Sequence, residues 1–313
     1  MISIVIPIYN DEKYIVDCLT SVQNQSFNDF ECLCLDDGSC DNTVNLINQF
    51  VSKDSRFVLY QNIHKGPGWQ RNFGIKVAKG EYITFMDHDD YVEEEWLQKL
   101  YDTLIDNNVD VSFCANSDYF ENSQNDVVYY FPTQLVGKTV FTNSEIPKEF
   151  VCNYFAPWRR LVRRSLLINN NICFAEGNYK FDDVFFTQLL MENVKSVAVC
   201  NEVLYHHRIF DNSITGMSFE NKDVYFEHFD TAEEVVKYAK LNGKDSKRML
   251  LRMFPFFSHY LFYVDSKFLF YKKFRDLVYK NKFPLKYRFK MVKYYVILIK
   301  IELLNLYKKV RYA

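Results

Sequence analysis

The chain has 313 residues, 48% hydrophobic and 25% charged, enough to bury a sizeable core in one large domain or two units. Its formal net charge of −2 conceals a split: from Lys244 onward eighteen Lys and Arg stand against four Asp and Glu, so an acidic body carries a basic, aromatic tail that suits an anionic surface. No nucleic-acid-binding module accompanies that charge, so nucleic acid is not an expected partner, and the eight Cys lack metal-ligand spacing and read as free thiols of a reduced, cytoplasmic compartment.

Met1-Ile2-Ser3-Ile4 enters an apolar strand with no basic region before it, so no signal peptide is expected. No stretch reaches the ~18 uncharged apolar residues of a membrane span. Ser3 to Tyr9 suits a strand buried on both faces, with Pro7 near its end, where a missing ladder donor matters least. Asn10 or Asp11 offers an N-cap for a helix whose Tyr14, Ile15, Cys18, Leu19 and Val22 recur at helical spacing. Phe30 to Leu35 predicts a second strand, ending in Asp36-Asp37-Gly38-Ser39. Asp41 to Thr43 then caps a helix with Val44, Leu46, Ile47 and Phe50 mainly inward. A third strand at Phe57 to Tyr60 precedes Gly66-Pro67-Gly68 and a helix through Trp69, Phe73 and Val77.

The next strand, Tyr82 onward, breaks into Asp87-His88-Asp89-Asp90, three carboxylates within four residues. Such a cluster repels itself unless a positive charge sits beside it. Mg²⁺ or Mn²⁺ carrying a phosphorylated ligand fits that need, and Asp87 and Asp89 share one side of an extended segment. The plainer alternative is an acidic loop whose Asp90 caps a helix starting near Glu93.

Alternating strands and helices argue a right-handed parallel α/β sheet, whose ligand sits at the carboxyl ends of the strands. Tyr9, Asp37 and Asp87 fall at those ends. Further on come a helix from Glu94 to Ile105, a strand at Val109–Cys114, and a less regular stretch to Phe141 that suggests a hairpin. Arg159 to Leu167 holds four arginines among apolar residues, and Asn169-Asn170-Asn171 is a turn. Asp182-Asp183 opens an apolar helix, Val184 to Met191. Val197–Val199 and Val203–Tyr205 read as two short strands before His206-His207-Arg208, and beyond Phe219 the chain turns helical.

Together these stretches resemble the family 2 glycosyltransferases of GT-A fold, above all the bacterial enzymes that build capsule, lipopolysaccharide or teichoic-acid glycans. The likeness rests on Ile4 to Asn10, Asp36 to Ser39, Arg71-Asn72 with Gly74, Asp87 to Asp90, Asp182-Asp183 and Tyr205 to Thr215, in the family's order. It implies a GT-A catalytic domain over 1–218, with a nucleotide-binding half to 115 and an acceptor half from 116; the tail over 219–313 lies outside the likeness and reads from its residues as a separate helical region. It also implies inverting transfer from a UDP-sugar to the hydroxyl of a glycan or lipid-linked glycan acceptor. In that scheme Asp89, with Asp87, holds Mn²⁺ or Mg²⁺, and Arg71 and Arg208 clamp the diphosphate. His206 or His207 is a late metal ligand or phosphate donor, with His207 the candidate for the metal. Asp183 is the base, in a pair whose first member is Asp182 where the family has Glu. Asp37 accepts the uracil N3–H while Pro7 and Tyr9 line the base and ribose, and His88 faces the donor sugar.

Phe254-Pro255-Phe256-Phe257 and Tyr294 to Ile299 sit among lysines in the tail. A basic aromatic helix can lie on an anionic membrane, here the inner face of the plasma membrane, or pack as an ordinary helical domain or oligomer contact. Two rival classes are weaker. Gly66 to Arg71 lacks the last glycine of a dinucleotide fingerprint and no Walker A is present, which disfavours a dehydrogenase or NTPase. An inactive glycan-binding or scaffold protein has little use for carboxylates at Asp87, Asp89 and Asp183.

Overall fold

Two apolar segments of seven residues, Ile2–Ile8 (β1) and Phe30–Asp36 (β2), are buried at every position, as central strands between helix layers must be. The computed structural model describes residues 1–120, 125–129, 139–146, 156–177, 181–210 and 222–312. β1 pairs in parallel with β2 and with β4 (Tyr82–Phe85), and β2 pairs in parallel with β3 (Phe57–Gln61). The connections are α1 (Ile15–Gln23), α2 (Thr43–Val51) and α3 (Pro67–Val77). α1 buries Ile15, Cys18, Leu19 and Val22, the spacing expected of its inward face. α3 lies so close to β1 that a Cβ on Gly74 would stand 2.4 Å from Val5 Cγ1. These elements match the sequence expectation, except that the N-cap of α1 is Tyr14, not Asn10 or Asp11.

Beyond β4 the sheet becomes mixed. A two-residue strand, β5 (Tyr91–Val92), leads into α4 (Trp96–Asp106) and β6 (Val111–Phe120). β6 folds back on β7 (Asn125–Tyr129), so the expected hairpin exists, although much of the segment to Phe141 lies outside the described residues. β8 (Val140–Thr142), β9 (Arg160–Arg163), α5 (Arg164–Asn169), α6 (Asp182–Asn193) and β10 (Ser196–Ile209) follow. The sheet order is β3-β2-β1-β4-β9-β6-β10-β5, with β9 antiparallel to both β4 and β6 and β10 parallel to β6. β9 is an antiparallel strand within the mostly parallel sheet that the sequence predicts: its run Arg-Leu-Val-Arg reads as polar, yet it fills the middle of the sheet. β10 corrects one expectation. The two short strands are one strand whose pairing slips between Cys200 and Tyr205, a bulge that absorbs the polar Asn201-Glu202.

The chain divides into two compact units, Met1–Met217 and Ser218–Ala313. The second is helical as expected, with α7 (His228–Leu241), α8 (Ser246–Tyr263), α9 (Lys267–Lys280) and α10 (Leu285–Tyr312). Asp245 caps α8 by accepting from the backbone N–H of Lys247 and Arg248. Phe257, Phe270 and Phe274 are fully buried in its core. Among the described residues no helix is long and apolar enough to cross a membrane.

Candidate active site

The acidic loop starts where β4 ends. Asp90 is fully buried: its Oδ2 accepts from the Tyr205 hydroxyl at 2.5 Å and its Oδ1 from the Arg208 backbone N–H at 2.8 Å. The same hydroxyl accepts from the Asp87 N–H at 3.1 Å, so Tyr205 ties both ends of the loop to β10. Burial pushes the Asp90 carboxyl well above the carboxylate range. Asp90 is therefore a structural anchor and does not cap a helix at Glu93. Asp87 and Asp89, by contrast, are half-buried.

Arg71, from the first turns of α3, joins this loop to a second acidic pair. Its two terminal nitrogens donate to Asp87 Oδ1 at 2.6 Å and to Asp182 Oδ2 at 2.7 Å. Gly68 makes room for the approach: a Cβ there would lie 2.1 Å from the Ala175 carbonyl oxygen and 3.2 Å from Asp182 Oδ2. Asp182 and Asp183 occupy the first turn of α6, whose N-cap is Phe181, so neither is the cap residue. Asp183 accepts from the Val184 N–H at 2.7 Å. Burial, reinforced by the charge on Asp182, pushes Asp183 up to about 8.

The expected nucleotide cradle lies at the ends of β1 and β2. Pro7 is buried in β1, while Tyr9 is exposed with its ring 4.5 Å from that of His64. Asp37 accepts from the backbone N–H groups of Lys65 and Gly66, both at 2.8 Å, and from the Gln70 amide. His64 Nδ1 stands 3.0 Å from Asp37 Oδ2. Asp37 thus shapes the loop after β3, with both carboxylate oxygens engaged there. Sequence reasoning missed His64, although it follows a strand's carboxyl end.

Arg208 lies beside the acidic loop as expected. Its Nε donates to the Asp89 carbonyl oxygen at 2.9 Å, and its guanidinium packs 4.6 Å from the Tyr14 ring centre. The two neighbouring histidines have separate partners. His206 is held by Ser117 Oγ at 2.8 Å and Glu93 Oε1 at 2.7 Å and stacks on Tyr91. His207 Nδ1 is 3.1 Å from Asp118 Oδ1, and that carboxylate, with the charge on Asp90, carries it up to about 9 against the opposing effect of burial. His88, expected to face the sugar, stands with its Nδ1 3.0 Å from Asp11 Oδ2.

Among the described residues no group of three or more His, Cys, Asp or Glu is arranged to hold a metal alone. The side chains present nevertheless fit a divalent cation that arrives with a diphosphate, since Mg²⁺ and Mn²⁺ take one or two carboxylates and complete their shell with phosphate and water. No hydrogen bond or ion pair from the described residues occupies the Asp89 carboxylate. Burial raises its pKa, as expected of a carboxylate that lacks a cation. Asp87 meets Arg71 through Oδ1 alone, leaving Oδ2.

A sheet of this order, with an Asp-x-Asp loop after β4, defines a GT-A fold. The chain belongs to family 2 of the glycosyltransferases: the family described as Glycosyl transferase family 2 matches residues 3–169. It is 29% identical over 225 residues to the uncharacterized glycosyltransferase EpsJ of Bacillus subtilis, covering 70% of this chain and 64% of EpsJ. It is also 29% identical to the glycosyltransferase GlyG of Streptococcus pneumoniae, over 70% of this chain and 74% of GlyG. The poly(ribitol-phosphate) beta-glucosyltransferase of Bacillus spizizenii is 32% identical over 66% of this chain but only 32% of its own length. Among solved structures, residues 1–349 of S. aureus TarS in complex with UDP-GlcNAc superpose with a TM-score of 0.67 at 22% identity, covering 88% of this chain and 80% of that one. A mannosyltransferase from Pyrobaculum calidifontis in complex with GDP-Man and Mn²⁺ superposes at 0.57 with 13% identity, over 99% of this chain and 81% of that one.

Proposed function

We propose that the chain is an inverting, metal-dependent glycosyltransferase that moves a hexose or N-acetylhexosamine from a UDP-sugar to a hydroxyl of a bacterial surface glycan or its lipid-linked precursor. One observation carries the reading: Arg71 gathers Asp87 and Asp182 onto one guanidinium, so the metal-loop carboxylates and the base pair border a single site. The names of the relatives support the class of substrate.

Tyr9, His64 and Asp37 would hold the uridine. Asp89, with Asp87 Oδ2, would hold Mn²⁺ or Mg²⁺, which when bound neutralises charge on the departing diphosphate. Arg208 would supply further donors to those oxygens, and His207 would serve either as another donor to them or as a ligand of the metal. Asp183 takes the proton of the acceptor hydroxyl as it attacks the sugar carbon from the face opposite the leaving group. UDP release, measured over a panel of nucleotide sugars with Mn²⁺, Mg²⁺ or chelator, tests the proposal. Release that depends on metal and is lost in Asp183→Asn supports it. No release above that variant's background from any UDP-sugar, in the presence of surface-glycan acceptors, rejects it.

A further inference from the structure

The last helix of the described chain carries two apolar faces. One packs inward: Tyr287, Met291 and Leu298 are buried, and the Tyr287 ring lies 4.6 Å from that of Phe254. The other points out. Leu285, Phe289, Val292, Val296 and Ile299 are 67%, 69%, 57%, 46% and 36% exposed, at alternating steps of four and three residues that align them along one side of the helix. The same spacing runs on in the sequence through Leu303, Leu306 and Val310. Burying isolated apolar side chains explains nothing here, because a continuous row of this kind is rare on a surface without a partner.

The charges beside the row indicate what covers it. Lys286, Lys293 and Lys300 follow directly after Leu285, Val292 and Ile299, all exposed, whereas Arg288 and Lys290 turn to the Phe283 carbonyl oxygen and to the Phe254 and Tyr287 rings. Packing two copies of this helix along the row would bring mostly like-charged edges together, which disfavours self-pairing. An anionic lipid surface complements both features: the row enters the interface while lysine stems reach back to the headgroups. We propose that Leu285–Ile299 is a membrane-docking face that lies along the surface of an anionic bilayer. The inference is independent of the transfer reading, since lipid binding and UDP release are measured separately.

The test uses the full chain with vesicles of phosphatidylcholine alone or containing phosphatidylglycerol, separated by flotation. The expected result is binding to the anionic vesicles only, weakened at least tenfold in salt of about 1 M, where the screening length shrinks to ~3 Å. The double substitution Phe289→Glu with Val296→Glu is expected to lower that binding at least tenfold while circular dichroism melting stays unchanged, because both positions are exposed. Absence of binding by the unsubstituted chain overturns the proposal, as does equal binding by the variant or to neutral vesicles. A dimer in light scattering that the same substitutions disperse, with no vesicle binding, assigns the face to a second copy and overturns it as well.

Discussion

Arg71 stands between Asp87 and Asp182, 2.6 Å from one carboxylate and 2.7 Å from the other, and is the only side chain described that touches both acidic segments. Breaking a buried pair by removing one partner costs about 3–5 kcal/mol, because the other charge stays buried. Arg71→Ala is therefore expected to lose at least ~100-fold in kcat/KM and to lower the melting temperature of the first unit. Arg71→Lys is expected to restore stability better than activity, since one ammonium cannot span the fork. UDP-release kinetics beside thermal melting separate the two effects; full activity in the lysine variant would contradict the bridging role.

Asp183→Asn keeps the shape of the side chain and removes its capacity to accept a proton. Turnover is expected to fall ~10²–10⁴-fold, the usual span for a general base, with UDP affinity by calorimetry changed less than twofold. A matching loss of UDP affinity would reassign Asp183 to donor binding.

The pH profile follows from the same residue. Asp183 sits at about 8, raised first by burial and then by Asp182, so the form able to take a proton grows as pH rises through about 8. The sign for stability is opposite. The folded state keeps a proton that the unfolded carboxyl, with a pKa of ~4, releases; the contribution is complete below ~4 and is lost as pH rises through about 8. Asp182→Asn is expected to move the activity limb to lower pH, and a limb that stays in place would show that Asp182 does not set it.

Asp89→Ala is expected to abolish the gain in UDP affinity that Mn²⁺ or Mg²⁺ produces while leaving metal-free UDP binding within about threefold, because among the described residues no hydrogen bond or ion pair joins the Asp89 side chain to Tyr9, Asp37 or His64. Calorimetric titration of UDP with and without metal reads this directly. Metal-enhanced binding that survives in the variant would remove Asp89 from the cation site.

Tyr205 is fully buried, and its hydroxyl serves Asp90 and the Asp87 N–H together. Tyr205→Phe leaves both without that partner, at a cost of about 1–3 kcal/mol, read as a fall in melting temperature of a few degrees. A loosened loop should also raise the KM for donor, whereas unchanged KM would confine Tyr205 to stability.

The sequence was most readable where one physical rule dominated. β1 to β4 are short apolar runs that end in turn residues, and the helices between them keep a 3.6-residue period, so their order and the acidic loop at a strand end could be read directly. β9 could not be read this way. Arg160 and Arg163 disguise it, and the fold buries Arg160 5.2 Å and 6.0 Å from the Phe113 and Phe186 rings while it donates to the Ala156 carbonyl oxygen at 2.9 Å. The Arg71 bridge was also invisible, because it depends on bringing position 71 to positions 87 and 182, and no local pattern encodes that distance. The roles of Tyr205 and His64 were lost for the same reason.

The antiparallel strand between β4 and β6 has a consequence for anyone who wishes to exchange parts of this enzyme. β4 is buried at every residue and owes one of its two neighbours to a segment about eighty positions later in the chain. A fragment ending after β6 would expose a bare apolar edge and invite aggregation. Grafts that aim to alter acceptor choice should therefore carry the strand and its host sheet as one piece.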